Sequence, residues 1–201
     1  MYSVFMNKII DGFGAQWKRY SNLNSHFFSS EELFESYFPE KPPFSTLEGK
    51  IVVDVGSGIG RQVKLLQKYS PKLIYAIEPS SSYKLLEREF SNNSSVEIIQ
   101  NTADRFTVPE KVDWIFCFGV LHHIPQANLV LANFKKNLKE GWQVCLWVYS
   151  SKSNKAMIRI IKMVNKLTQF LPDQLLSELA KLLSFVIDGY FQFLKFLEYR
   201  G

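Results

Sequence analysis

Residues 50–61 read Lys-Ile-Val-Val-Asp-Val-Gly-Ser-Gly-Ile-Gly-Arg, and this stretch decides the fold. Its first half, Ile51 to Val55, is apolar and rich in β-branched residues, which is typical of a strand covered on both faces. Three glycines at alternate positions then allow a sharp turn and a close approach of the backbone to a ligand. A helix is predicted from Arg61 onward, and its free N–H groups point over the loop. Together these features predict a nucleotide-type cofactor site.

The spacing of the glycines bears on the class of cofactor. A dinucleotide fingerprint needs its third glycine three places after the second, at the position that Arg61 occupies here. Asp54, just before the loop, is a poor neighbour for a pyrophosphate and suits a cofactor that carries positive charge. A P-loop is excluded, because no Gly-Lys-Ser/Thr follows. A tight strand-to-helix turn without a ligand stays open as the alternative.

Strands and helices alternate after the glycine loop. Further strands are predicted at residues 73–77, 96–100, 112–118 and 143–149, with helices at 61–68, 80–90 and 126–140, the last ended by Gly141. This alternation predicts an α/β fold, a Rossmann-like, doubly wound, mostly parallel sheet of about five strands. We predict three parts: an N-terminal helical lid over 1–45, with a helix start at Ser30, a cofactor-binding core over 46–150, and a helical extension over 151–201.

Two strand ends carry candidate functional side chains. Glu78 ends the second strand about twenty residues after the central glycine, where a carboxylate can accept hydrogen bonds from two ribose hydroxyls. An ordinary exposed strand-end acid is the alternative. His122 and His123 follow the fourth strand, whose end faces the ligand crevice, and either could serve as a general base. The alternatives are that one histidine caps the following helix and the other hydrogen-bonds the backbone. A group-transfer reaction can also proceed by positioning of the reactants alone, without a general base.

Residues 52–61 resemble motif I of the class I S-adenosylmethionine-dependent methyltransferases, which usually have Asp or Glu before a G-x-G-x-G loop. Phe13-Gly14-Ala15-Gln16-Trp17 is similar to an F-G-x-Q-W segment upstream of motif I in one branch, and the residues around His122 resemble the V-L-H-H-I of motif IV. The resemblance covers most of the chain from Phe13 to about Tyr149. It implies a Rossmann-like fold, S-adenosylmethionine as cofactor and methyl transfer as activity.

The same resemblance implies which residues hold the cofactor. Glu78 would bind the ribose of the cofactor, and Asp104 would accept a hydrogen bond from the adenine amine. Phe118 and Gly119 would lie beside the methionine part of the cofactor. The full set of cofactor-binding candidates is Gln16, Trp17, Asp54, Gly56, Ser57, Gly58, Gly60, Arg61, Glu78, Pro79, Ala103, Asp104, Phe118 and Gly119. His122 and His123 are the catalytic candidates, and no metal site is predicted.

Composition sets broad limits. With 201 residues, 46% hydrophobic and 21% charged, the chain is globular rather than disordered. The net charge of +5 permits an acidic substrate, nucleic acid or an anionic membrane without indicating any of them. Cys117 and Cys145 lie in apolar runs and are expected to be free buried thiols in a reducing compartment. We expect a cytoplasmic protein, since neither a signal peptide nor a stretch of about 20 apolar residues is found.

The tail departs from the family pattern. A full class I domain usually adds a sixth and a seventh strand, whereas residues 150–201 predict helices at about 154–170, 175–187 and 190–199, with a turn at Gly189. The fifth strand is then an open edge that helices or a second copy in a homodimer would cover. A truncated chain is the alternative. The first tail helix has a basic face, which we interpret as solvated, with peripheral contact to anionic lipid as the alternative.

These observations predict a methyltransferase that acts on a small-molecule, sugar or lipid-linked acceptor by O- or N-methylation. No strong nucleic-acid-binding module is recognised. The alternatives are a non-catalytic or truncated S-adenosylmethionine-binding module and an NAD-dependent oxidoreductase, which Arg61 disfavours.

Overall fold

A computed structural model describes residues 2–20, 44–149, 155–168 and 170–198. Within these residues the strands are β1 (Ile51–Val55), β2 (Leu73–Ile77), β3 (Val96–Ile99), β4 (Val112–Phe118) and β5 (Leu138–Trp147). They form one sheet in the order β3-β2-β1-β4-β5, and every neighbouring pair is parallel. The order reverses between β1 and β4, so the carboxyl ends of these strands open a crevice. The predicted Rossmann-like α/β fold is confirmed.

Three helices, α2 (Arg61–Gln67), α3 (Tyr83–Glu89) and α4 (Ala127–Asn137), cover both faces of this sheet. Helix α1 (Tyr2–Tyr20) precedes the sheet in the chain, and 3-10 turns lie at Phe44–Leu47 and Leu121–His123. Apolar residues of α2 and α3 join one core cluster with Val52, and those of α4 join the opposite cluster with Val53. All five residues of β1 are buried. The β-branched run therefore forms the doubly covered strand that its composition predicts.

The helix before β5 is shorter than predicted, and the strand starts earlier. α4 ends at Asn137, whose Nδ2 donates to the backbone oxygen of Asn133 at 2.9 Å, and Leu138 is already extended and pairs with Val112. Gly141 does not end the helix. It lies inside β5 with φ +79°, where the register between β4 and β5 shifts. The pairing with β4 outweighs the helical pattern of the sequence in this segment.

The buried face of α4 is not the one that its leucines mark. Leu129 and Leu131 are 46% and 45% exposed. Val130 and Phe134 are buried instead, together with the polar Asn133. Asn133 and Asn137 occupy core positions because their amides donate hydrogen bonds to backbone oxygens of the loop after β3. Hydrophobicity alone does not reveal such a role.

The chain divides into two compact units, Met1–Tyr149 and Ser150–Gly201. The described residues of the second unit form α5 (Lys155–Thr168) and α6 (Asp173–Glu198) and contain no strand, in agreement with the predicted helices. The predicted turn at Gly189 is wrong, because α6 runs through it. One glycine costs a helix about 1 kcal/mol, and the long flanking helical segments outweigh that.

Some expectations fall beyond what the structure describes. The helix start at Ser30 lies outside the described residues. The lid role of residues 1–45 stays a prediction. None of the described helices has the length and apolar character needed to cross a membrane.

The glycines Gly60 and Gly141 allow a matched test of packing in the loop, because both have positive φ, +87° and +79°. A Cβ added at Gly60 would lie 2.5 Å from the Phe90 ring, whereas one at Gly141 meets nothing within 4 Å. Gly141→Ala should cost about 1–2 kcal/mol of unfolding free energy from backbone strain. Gly60→Ala should cost about 1–3 kcal/mol more from overpacking. Urea unfolding of both variants measures the difference, and equal losses would contradict the packing argument.

Candidate functional site

A cleft of about 790 Å³, including space open to solvent, lies at the carboxyl ends of β1, β2 and β4. Four segments supply its wall: α1, the ends of β1 and β2, the loop after β3, and the end of β4 with the turn that follows. Its lining includes Met6, Ile9, Ile10, Phe13, Trp17, Val55, Gly56, Ile77, Glu78, Pro79, Ser80, Asn101, Thr102, Ala103, Asp104, Phe118, Gly119, Val120, His123 and Ile124.

The glycine loop borders the cleft and also packs closely against protein side chains. Gly56, Gly58 and Gly60 all have positive φ. A Cβ at Gly56 would collide with Val120, and one at Gly58 would lie 3.0 Å from the Trp17 ring. The glycines are therefore required both by backbone conformation and by the close approach of neighbouring side chains.

Glu78 connects the glycine loop to the loop after β2. It is 4% exposed, its Oε2 accepts from the Gly58 N–H at 2.8 Å, and its Oε1 accepts from the Ser80 N–H at 2.9 Å. An ionised carboxylate has about four lone-pair sites, so two backbone bonds leave acceptor capacity on both oxygens. Glu78 lines the cleft and can accept from a pair of ligand hydroxyls.

Asp54 is a buried carboxyl group behind the loop. Only 2% of it is exposed, and its Oδ2 has no hydrogen-bond partner among the described residues. Burial raises the pKa of Asp54 to about 7; the Ser57 hydroxyl opposes this rise, and the nearby Glu78 charge adds to it. A cationic group arriving near the loop would favour the ionised form and lower that pKa again.

The loop after β3 is fixed from behind by α4. Asn133 Nδ2 donates to the backbone oxygens of Ala103 at 3.1 Å and Phe106 at 3.0 Å. Asn137 Nδ2 is 3.4 Å from the same Phe106 oxygen. These asparagines were not predicted as site residues. Two amide side chains four residues apart lie on the same face of a helix, and this spacing could have indicated a shared role. They hold Ala103 and the 14%-exposed side chain of Asp104 in the cleft wall.

Helix α1 lies over the glycine loop. The Arg61 guanidinium carbon is 5.1 Å from the centre of the Trp17 ring, a cation–π arrangement. Gly14 packs against Ser80 and Ser81, and a Cβ there would lie 2.8 Å from the Ser81 hydroxyl. Trp17 was predicted as a site residue, but the other apolar residues that α1 adds to the cleft were not, because their spacing indicates only an amphipathic helix.

The two histidines have different surroundings. His123 is partly buried and lines the cleft, with the Phe13 ring 4.9 Å away; His122 is exposed and lies outside the lining. Burial lowers the pKa of both, and for His123 the charge of His122 lowers it further. Both imidazoles are thus neutral at pH 7 and able to accept a proton.

The structure sorts the predicted site residues into three groups. Residues in the cleft wall are Trp17, Gly56, Glu78, Pro79, Ala103, Asp104, Phe118, Gly119 and His123. Residues of the loop and helix start that support the wall from behind are Asp54, Ser57, Gly58, Gly60 and Arg61. Gln16 and His122 are exposed and lie outside the lining, and Gln16 borders a shallower pocket with Phe13. Among the described residues, no three His, Cys, Asp or Glu side chains gather in a way that could hold a metal ion.

Residues 53–146 match the family described as "Methyltransferase domain". A tRNA U34 carboxymethyltransferase from Nautilia profundicola is 34% identical over 108 residues, 52% of this chain and 36% of that protein. One from Sulfurovum sp. is 26% identical over 128 residues, 62% of this chain and 42% of that protein. This chain therefore spans less than half the length of these relatives.

Solved structures agree on the fold. A SAM-dependent methyltransferase from Aquifex aeolicus has a TM-score of 0.53 at 18% identity, covering 66% of this chain and 71% of that one. The DhpI-SAM-HEP complex has a TM-score of 0.57 at 13% identity, covering 79% and 71%. Together with the family match, they confirm the resemblance to methyltransferases and the Rossmann-like fold that it implies.

The predicted acceptor is wrong. A small-molecule, sugar or lipid-linked acceptor was expected, with no strong nucleic-acid signal, whereas the curated relatives are named for tRNA. The residues that carried the prediction belong to the cofactor side of the site, and these say nothing about the acceptor. The charge of +5 was interpreted as indicating no particular partner.

The raised pKa of Asp54 predicts a pH-dependent stability. Its pKa is 3.8 when exposed and about 7 in the fold, so the folded state binds the extra proton between these values. Stability should fall by up to about 4 kcal/mol as pH rises from 4 to 7. Asp54→Asn should remove this loss, as measured by urea unfolding of the ligand-free protein at several pH values.

Asp113→Asn is the control with opposite sign. Burial alone would raise the pKa of Asp113, but hydrogen bonds from Lys139 and the Ile51 N–H bring it below its usual value. Its contribution to stability is present at neutral pH and is lost as pH falls. A wild-type protein whose stability does not decrease between pH 4 and 7, relative to Asp54→Asn, would contradict the assignment.

Proposed function

We propose that this protein transfers the alkyl group of a sulfonium cofactor to RNA, with a tRNA uridine as acceptor. The match of residues 53–146 to the methyltransferase domain family and the fold shared with S-adenosylmethionine-dependent methyltransferases support the transfer reaction. The group is methyl in S-adenosylmethionine. The relatives' name also supports a carboxymethyl group carried on the same sulfonium. With a tRNA acceptor we further propose a cytoplasmic location.

One observation carries the cofactor half of the proposal: two buried carboxyl groups, Asp54 and Glu78, flank the glycine loop from adjacent strands. Asp54 lies behind the loop with an Oδ2 that has no partner among the described residues, so a cation held over the loop would favour its ionised form. Glu78 keeps acceptor capacity for hydroxyls. A sulfonium nucleoside carries both cation and hydroxyls, whereas a pyrophosphate would be repelled, so the residues fit S-adenosylmethionine.

The cofactor, when bound, supplies an electrophilic carbon on a positively charged sulfur. The chain's own residues would bind and orient it: Glu78 at the ribose hydroxyls, Asp104 and the Ala103 backbone at the base, and Phe118 with Gly119 beside the sulfur-bearing part. Most of the rate acceleration would come from this positioning.

His123 is the proposed proton acceptor. It lines the cleft, and its lowered pKa keeps the ring neutral at pH 7. A neutral imidazole can take the proton that the attacking group of the acceptor loses. His122 lies outside the lining, so we assign the catalytic role to His123 alone.

The acceptor half rests on the relatives. Several proteins that match this chain are named tRNA U34 carboxymethyltransferase. A positive net charge of +5 and a pI of about 9.1 are compatible with an RNA ligand, because phosphate contacts dominate its affinity.

Calorimetry tests the cofactor site. S-adenosylmethionine or its demethylated product should bind, and NAD should not. Glu78→Gln should weaken binding by about 5- to 150-fold, which corresponds to losing about 1–3 kcal/mol of hydrogen bonding to a charged group. Glu97→Gln is the matched control, since Glu97 is an exposed acid on β3 outside the cleft. Unchanged affinity in Glu78→Gln would remove Glu78 from the cofactor site.

Transfer to RNA tests the activity. We expect mass spectrometry of tRNA nucleosides to show a methyl or carboxymethyl group on a uridine after incubation with S-adenosylmethionine or its carboxymethyl analogue. His123→Gln should bind cofactor normally and lose about 10²–10⁴-fold in kcat. The wild-type rate should fall only at a pH below the ordinary imidazole value of 6.5, as the pH passes through the lowered pKa of His123 and protonates the base. An unmodified tRNA with a cofactor-binding protein would overturn the RNA acceptor.

A further inference from the structure

A row of aromatic rings leads out of the cleft. We call it the aromatic row, and it consists of Phe13, His123, His122, Tyr149 and Trp147. Successive ring centres are 4.9 Å, 4.1 Å, 4.9 Å and 4.8 Å apart in that order. The rings meet edge to face or tilted, with interplanar angles between 48° and 71°. These segments are distant in the sequence, and only the fold brings them into one row.

The row begins in the cleft, is exposed at its middle and ends against the core. Phe13 and His123 line the cleft, and Trp147 packs against the core, with its backbone oxygen accepting from the Gly119 N–H at 2.9 Å. Tyr149 is 64% exposed and His122 is also exposed. The row therefore connects the proposed methyl-transfer position to solvent at the carboxyl ends of β4 and β5. In an open α/β sheet this is the edge at which ligands bind.

Core packing does not explain the exposed part of the row, His122 and Tyr149. The stacked pair Trp114 and Phe116 shows what a core pair looks like in this protein: both rings are buried, at 7% and 1% exposure. Tyr149 instead meets the His122 and Trp147 rings at steep angles of 71° and 69° and leaves most of its own surface open. An aromatic surface held in place by neighbouring rings but left uncovered is ready to stack on a ligand with a flat π-face.

We propose that the aromatic row is a stacking platform for an unpaired nucleobase of the RNA substrate, with Tyr149 and His122 contacting the base. The proposal rests on the proposed function in one respect, namely that the acceptor is RNA. Sequence-specific proteins recognise RNA largely through single-stranded bases that stack on Phe, Tyr, Trp or His. A base held on Tyr149 would be guided along the row towards His123 in the cleft.

The proposal separates base contacts from phosphate contacts. Stacking on an uncharged Tyr releases no counterions, so removing it should weaken binding equally at low and high salt. Loss of a Lys or Arg contact to phosphate would instead reduce the salt dependence. The slope of affinity against salt concentration therefore distinguishes a stacking platform from general electrostatic binding.

Binding of a fluorescent RNA hairpin with a uridine in its loop tests the proposal, at saturating S-adenosylhomocysteine. Tyr149→Ala and Tyr149→Leu should each bind roughly 5- to 150-fold more weakly, the range for losing one base–aromatic stack. Tyr149→Phe should bind within about two-fold of wild type, because it keeps the ring. Leu131→Ala, at an exposed site on α4, is the control. Cofactor binding by calorimetry verifies that each variant is folded.

A second arm replaces the loop uridine by an abasic site. Wild type should lose affinity for the abasic hairpin, and Tyr149→Ala should bind both hairpins alike. Tyr149→Ala or Tyr149→Leu binding like wild type, or wild type ignoring the abasic change, would overturn the stacking platform and leave the RNA acceptor standing. A wild-type protein that binds neither hairpin would overturn the proposed RNA acceptor and the platform with it.

Discussion

The hydrogen bonds of Glu78 are the constraint on which the cleft depends. One carboxylate oxygen holds the Gly58 N–H of the glycine loop, and the other holds the Ser80 N–H of the loop after β2. A buried carboxylate without partners would be costly, so the charge itself maintains the spacing of the two loops. The ends of β1 and β2 thereby form a rigid frame before any ligand arrives, which reduces the entropy that binding must overcome.

Buried polar groups fix the rest of the site in the same way. Asp113 accepts from the Ile51 N–H and from Lys139, and so ties the starts of β1, β4 and β5 together. Asn133 satisfies two backbone oxygens of the loop after β3. In a low-dielectric interior each of these groups has few alternative partners, so each specifies one arrangement of the backbone. The cleft is built by polar interactions behind its apolar lining.

The glycine loop shows how packing and ligand binding share one motif. From the sequence alone, the three glycines are explained by the close approach of a cofactor to the backbone. In the structure Val120, Trp17 and Phe90 occupy the space that a Cβ would need at Gly56, Gly58 and Gly60. The fold itself therefore requires glycine at these three positions. Helix α1 packs over the loop through the contact of Trp17 with Gly58. This contact links the N-terminal segment to the cofactor side of the cleft.

The sequence by itself determined the sheet, the glycine loop and the acid at the end of β2. These follow from local patterns: β-branched runs, glycine spacing and the fixed register between Gly58 and Glu78. Only the tertiary structure decided the end of α4, the buried face with Asn133, the contribution of α1 to the cleft and the aromatic row. Each depends on contacts between residues far apart in the chain, which outweigh helical pattern and hydrophobicity. The acceptor was misjudged for a related reason. Motifs that bind the cofactor recur whatever is alkylated, whereas an acceptor is recognised by a surface that only the fold assembles.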